Sequence, residues 1–312
     1  MNQMKTKYVL PAMVLCAALL SSCQDETSAG RANTVMTIAP TLKTAETRSA
    51  VHDGFTPKKN WEQGDKMGIF LYQHTGWGDP YQFSVSQNMP SAFQTNQWKQ
   101  DTPIYLNMMK ATVWTYYPYS AEVTDGTAIP VPIGRDNPVD YMWGKSVNDV
   151  SAVDTKADIP MNHALSQFVL RLKIAKEYAK EGKLTAIKLE ASKPTFALDG
   201  TMDLSRNGTI SFRPELKELS WTPAEYEAGK DLDFAATVYP MELSEGQLTL
   251  EVVLDGDTWR FPIPAVKWAA GKRHIYTVTA KFNDFVLGNE SGSPVTIKPW
   301  DDTNIDMELE GK

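Results

Sequence analysis

The sequence predicts an all-β protein. Apolar residues recur with a period of two in several short runs, and helical periodicity is nearly absent. Gly, Pro, Asn and Asp punctuate the chain at short intervals. Many short strands separated by turn residues point to β-sandwiches. Once an N-terminal leader is set aside, about 290 residues remain, enough for two sandwiches in tandem.

The strands are read in chain order. Residues 35–38 form the first β-favouring run, which Pro40 is expected to close. Residues 67–72 follow the turn signal Gly64-Asp65, and residues 111–117 are rich in β-branched and aromatic side chains up to Pro118. Phe168, Leu170, Leu172 and Ile174 alternate with Gln167, Val169, Arg171 and Lys173, which predicts a half-buried strand. Residues 248–254 and 258–263 flank Asp255-Gly256-Asp257, a hairpin signal. Tyr276, Val278, Ala280 and Phe282 alternate with polar neighbours, as do Ile305, Met307 and Leu309 with Asp306, Glu308 and Glu310. The stretch 150–160 carries Asp154, Lys156 and Asp158 and is the expected boundary. The N-terminal sandwich is then 34–160 and the C-terminal one 161–312.

The leader has its own signature. Lys5 and Lys7 form a positive start, and residues 8–20 an apolar run. That run is too short to span a bilayer, which needs roughly 20 apolar residues. It ends in Leu20-Ser21-Ser22-Cys23, the pattern of a bacterial lipoprotein signal. Residues 1–22 are expected to be removed and Cys23 to carry diacylglycerol, with palmitate-type chains holding the protein on a membrane. Residues 23–33 are small and polar and read as a tether.

Composition narrows the function. The net charge of −7 becomes −9 once Lys5 and Lys7 leave with the signal. An acidic surface without clustered Lys or Arg is a poor nucleic-acid binder. Cys16 lies in the leader, so a lipidated Cys23 leaves no thiol for a disulfide, a metal or a nucleophile. His52, His74, His163 and His274 have no partners at metal-ligand spacing. His163 is expected to cap or pack, and His274 to sit in a turn. HExxH, GxSxG, Walker and GxGxxG patterns are all missing. The expectation is a protein that is not an enzyme, with no catalytic residue, metal or cofactor.

Aromatic residues crowd the first half, among them Trp61, Tyr72, Trp77, Trp98, Trp114, Tyr116, Tyr117 and Trp143. They serve a sandwich core well, and exposed ones could stack on sugars. Trp77, in Thr75-Gly76-Trp77-Gly78, reads as loop-borne and is the candidate ligand contact. It supports an alternative reading, a surface glycan-binding lipoprotein.

Several phrases stand in order behind the lipobox. They are Trp61-Glu62-Gln63-Gly64-Asp65-Lys66-Met67-Gly68-Ile69-Phe70, Tyr116-Tyr117-Pro118-Tyr119 and Asp140-Tyr141-Met142-Trp143-Gly144. Met161-Asn162-His163-Ala164-Leu165-Ser166 and Ala236-Thr237-Val238-Tyr239-Pro240 follow. The last are Trp268-Ala269-Ala270-Gly271-Lys272-Arg273-His274-Ile275-Tyr276 and Ile297-Lys298-Pro299-Trp300. In this order the chain resembles the fimbrillin family of Bacteroidota, the Mfa-like fimbrial proteins. Gln24-Asp25-Glu26 is similar to the acidic stretch that accompanies export to the outer face in lipoproteins of that phylum.

The resemblance implies two transthyretin-like, Greek-key β-sandwich domains and a structural role in adhesive surface pili. It implies export to the outer membrane as a lipoprotein, then removal of the first strand by an Arg-specific protease. A strand of the next subunit fills the groove, by β-strand addition. On that pattern Val35, Met36, Thr37 and Ile38 are the removable strand, Arg48 and Ser49 the cleavage point, and Ile305, Met307 and Leu309 the donor. The implied partners are other fimbrial subunits and a host or bacterial surface receptor.

Overall fold

In this computed structural model the described residues are 34–42, 57–74, 76–134, 138–175, 178, 180–221, 223, 232–281, 285–288 and 296–299. They form β-strands, with one turn of 3-10 helix at Leu204–Arg206. The all-β expectation holds.

The N-terminal part builds a seven-stranded sheet. Its order is Thr37–Thr41, Lys156–His163, Met142–Lys145, Ala111–Tyr117, Lys66–Gln73, Met89–Gln94 and Gln97–Gln100. Its central strands are buried on both faces. Met67, Ile69 and Leu71 enter one apolar cluster with Val113, Met142 and Ile159. Phe70 and Tyr72 enter another with Trp114 and Tyr116. A strand covered on both sides has no charged face, which is why 67–72 reads as an apolar run and 111–117 as β-branched and aromatic.

The C-terminal part has two facing sheets. One contains Leu232–Val238, Ser166–Ile174, Lys272–Ala280 and Phe285–Leu287, with Thr296–Pro299 also paired to Lys272–Ala280. The other is ordered Glu218–Trp221, Leu184–Ala191, Leu248–Leu254, Asp257–Pro262. Between them Phe168, Leu170 and Leu172 meet Ile187, Leu189, Leu250, Val252, Tyr276 and Val278 in one core. On the other face of Ser166–Ile174, Arg171 grips the buried Asp233 of its partner strand through two bonds, at 2.7 and 2.6 Å. Such bidentate pairing fixes register as well as charge.

A third cluster joins the two parts. Phe70, Trp114, Tyr116 and Val131 pack there with Met202, Leu204 and Tyr239. Ile129–Pro130 pairs with Gly200–Asp203, which pairs with Thr209–Phe212, so a small sheet draws on both halves. The Tyr239 hydroxyl donates to the Val131 carbonyl at 2.5 Å, and its ring stacks on Phe212 at 4.7 Å. Gly208 has φ +67, and a Cβ there would sit 2.1 Å from the Trp143 ring, so only glycine fits.

Four sequence expectations change. Pro40 does not close the first strand, which runs on to Thr41. The strand lies at a sheet edge, where a missing N–H costs no central ladder bond. Ser166–Ile174 is not half-buried, because Val169 packs in a small cluster with Ala235 and Ile275 on its second face. Residues 156–160, read as connector, begin the strand Lys156–His163, so the 160/161 boundary falls inside a strand. His274 does not sit in a turn: it lies within Lys272–Ala280 and is fully buried.

The buried His274 gives an acid-stability prediction. Its Nε2 accepts the Ala269 N–H at 3.2 Å. Burial, with a contribution from Lys272, pushes its pKa down from 6.5 to about 4. Below pH 6.5 the unfolded chain takes up a proton that the folded chain refuses, so stability falls as pH drops toward 4. The expected loss from this group is about 3 kcal/mol. Urea denaturation at pH 7 and pH 4 should show a smaller acid loss in His274→Gln than in the parent. Equal losses would contradict it.

Candidate functional site

The first strand and its seat form the candidate site. The chain enters through Thr34–Val35, antiparallel to Tyr105–Leu106. The Met36 N–H donates to the Ile104 carbonyl at 2.8 Å, and the Thr37 N–H to the Thr155 carbonyl at 2.9 Å. From there Thr37–Thr41 runs parallel to Lys156–Pro160 at the edge of the seven-stranded sheet. The segment is therefore held on both sides by main-chain bonds.

Its side chains alternate. Met36, Ile38 and Pro40 point inward and are buried, while Thr37 and Thr41 are exposed. Met36 and Ile38 join the cluster of Met67, Ile69, Leu71, Val113 and Ile159. Burying such side chains contributes about 1.5–3 kcal/mol each. Ala157 and Ile159 of the neighbouring strand face the same cluster, and Lys156 and Asp158 pair at 2.8 Å on its exposed face.

An aromatic clamp closes the far end. The Trp61 indole N–H donates to the Pro40 carbonyl at 3.1 Å. Trp61 packs edge-on against Trp98, with centroids 4.9 Å apart, and against Tyr117 at 5.5 Å. The Tyr117 hydroxyl donates to Asp65 at 2.8 Å, and Lys58 pairs with the same carboxylate at 3.1 Å. Burial and the adjacent Asp65 both raise the Tyr117 pKa, so the phenol stays protonated and donates. The Lys58 N–H donates to Asp140, which also bonds His163 at 2.8 Å. The clamp is thus tied to the strand Lys156–His163 that seats the first strand.

The arrangement holds an extended segment at the edge of the sheet. Removing residues 34–41 would bare one edge of Lys156–Pro160 and the apolar seats of Met36, Ile38 and Pro40. Val35, Met36, Thr37 and Ile38 are together here, Val35 facing outward. Cys23, Arg48, Ser49, Ile305, Met307 and Leu309 lie outside the described residues. Pro40 and Trp61 were missed by sequence reading. The alternation Met36, Ile38, Pro40 would have signalled the first, and no local signal marks the second.

Trp77 is loop-borne, as expected, and half-buried. Its ring lies 4.2 Å from Tyr72 and 5.4 Å from Trp114, over Gly126. Those contacts within the chain account for much of its surface.

Comparison with known proteins places the fold. The fimbrillin-like family matches residues 47–300, and the chain belongs to that family. A candidate cell adhesion protein of Bacteroides ovatus is similar in structure, with TM-score 0.61 and 16% identity, over 86% of this chain and 99% of that one. A candidate cell adhesion protein of Bacteroides uniformis gives TM-score 0.59 and 18% identity, over 86% and 98%. A fimbrial protein of Bacteroides vulgatus gives 0.50 and 16%, over 75% and 92%. No curated protein matches the chain.

Proposed function

We propose that this chain is a structural subunit of an adhesive surface fimbria, exported as a lipoprotein and assembled by strand exchange. The observation that carries the reading is the first strand. It is an edge strand with alternating buried residues, and it joins the body through residues 43–56. Arg48-Ser49 lies in that connection, so cleavage there would free residues 34–41 from the body without cutting a described strand. The family match begins at 47 and ends at 300, so both the first strand and the candidate donor lie outside it.

The donor is Ile305, Met307 and Leu309. Their spacing repeats that of Met36, Ile38 and Pro40, so one apolar face could replace the other. In this reading the protein has two transthyretin-like, Greek-key bodies. It resides on the outer membrane through a lipid on Cys23 until cleavage, and it is a structural protein without catalysis. Its partners are neighbouring fimbrial subunits and a surface receptor.

Deleting residues 303–312 tests the donor. The truncated chain should fold and remain monomeric at the cell surface, with pili lost in electron micrographs. Pili of normal number and length would exclude the C-terminal strand from assembly.

A further inference from the structure

The end of the molecule where the chain enters exposes a cluster of large apolar side chains. Met108 is 70% exposed, Met109 49%, Val153 78%, Phe83 42% and Val35 39%. Backbone pairing and hydrogen bonds bring their segments to one end of the fold. Thr34 pairs with Leu106 in an antiparallel register, so the described chain begins two residues from Met108 in that ladder. The Ala152 N–H donates to the Asn107 carbonyl at 2.7 Å, which sets the 151–154 turn, with Val153, beside Met108. The Tyr105 N–H donates to the Ser84 hydroxyl at 3.1 Å, which brings Phe83 to the same end.

We propose that this apolar end is a membrane-facing surface, seated on the lipid leaflet that holds the N-terminal anchor. The proposal rests on the reading of Cys23 as lipidated. Two arguments select lipid as the occupant. Eleven residues lead from Cys23 to Thr34, a reach of at most about 40 Å. The chain also enters the fold at the patch itself, so the end that carries Met108 and Val153 is the end nearest the bilayer.

The chemistry fits an interface. Met and Phe are large, adaptable and apolar, and a membrane boundary accepts them at shallow depth. Lys110 and Asp154 are exposed beside them and would stay at headgroup level. The acyl chains supply the attachment, and the patch sets orientation. In that orientation the first strand starts at the membrane and runs outward.

Methionine oxidation tests this. The full chain is purified from membranes, its intact mass is measured, and it is reconstituted in phosphatidylethanolamine–phosphatidylglycerol vesicles. Dilute hydrogen peroxide is added, and sulfoxide at each methionine is followed by peptide mass spectrometry. Met108 and Met109 should oxidise about five-fold more slowly than in Cys23→Ala protein mixed with the same vesicles. The half-buried Met241 should not differ. Equal rates at Met108 and Met109, with the lipid mass present on Cys23, would overturn the proposal and leave the anchor intact. Concentration-dependent protection of the Cys23→Ala protein would assign the patch to a second copy of the chain and also overturn it. A mass without lipid would remove the anchor reading, and the proposal with it.

Discussion

A chain of residues 49–302, which lacks both the first strand and the candidate donor, is expected to lose about 5 kcal/mol of stability. Met36 and Ile38 leave the cluster formed with Met67, Ile69, Leu71, Val113 and Ile159. The five paired residues of Lys156–Pro160 lose their partner edge. Trp61 loses the Pro40 carbonyl. A domain of this kind has roughly 5–15 kcal/mol in total, so the truncated body should melt far below the full chain or aggregate through its bare edge. Adding a synthetic peptide of residues 303–312 should then raise the melting temperature as its concentration rises, because it binds only the folded body. The same peptide with Met307→Asp should fail, since it would place a charge on the seat of Ile38 or its neighbour. An unchanged melting temperature on truncation would mean that the first strand does not hold the body together. Truncation without rescue would assign the donor to another segment.

Replacing Tyr239 with Ala should separate the two halves. The ring is fully buried, stacked on Phe212 and set against Gly200, where a Cβ would lie 2.8 Å from it. Its hydroxyl donates across to Val131, in a loop of the N-terminal part. Burial holds its pKa above the usual tyrosine value, so it remains a donor. Large-to-small replacement at such a site costs about 3–5 kcal/mol. Tyr239→Phe keeps the ring and removes the hydroxyl shared between the Val131 and Leu198 carbonyls, a loss of about 1 kcal/mol. Calorimetry should show a single transition in the parent and in Tyr239→Phe, and two in Tyr239→Ala. One transition shifted by less than a degree would show that the contact does not couple the halves.

Much of the fold was legible because strands write themselves into a sequence, by period two where one face is covered and by β-branched and aromatic runs where both are. The runs at 67–72, 111–117 and 248–254 are strands as read. What alternation does not reveal is whether a second layer covers the polar-looking face. Val169 is buried for that reason, although its strand reads as amphipathic. The same ambiguity misled the reading of 150–160. Lys156 and Asp158 look like linker polarity, yet they are the outer face of a strand whose inner face is Ala157 and Ile159. Pro40 reads as a stop because proline breaks central ladders, but at a sheet edge no central ladder bond is lost.

The candidate site was legible in part. Residues 35–38 stood out through β-propensity, and their seat could be inferred only once the parallel partner was known. That partner lies more than a hundred positions away, at Lys156–Pro160. Trp61 and Tyr239 act through contacts 21 and 108 positions away, with Pro40 and Val131, and nothing local to either residue announces them. Long-range pairing is what a single sequence hides.

Assembly by strand exchange requires that the first strand be removed in the mature protein. The direct measurement is the intact mass of the protein sheared from the cell surface. A chain beginning at Ser49 is the predicted result, and it would mark a processed subunit whose groove is filled by a neighbour. A chain still beginning at lipidated Cys23 in assembled material would contradict strand exchange at this site.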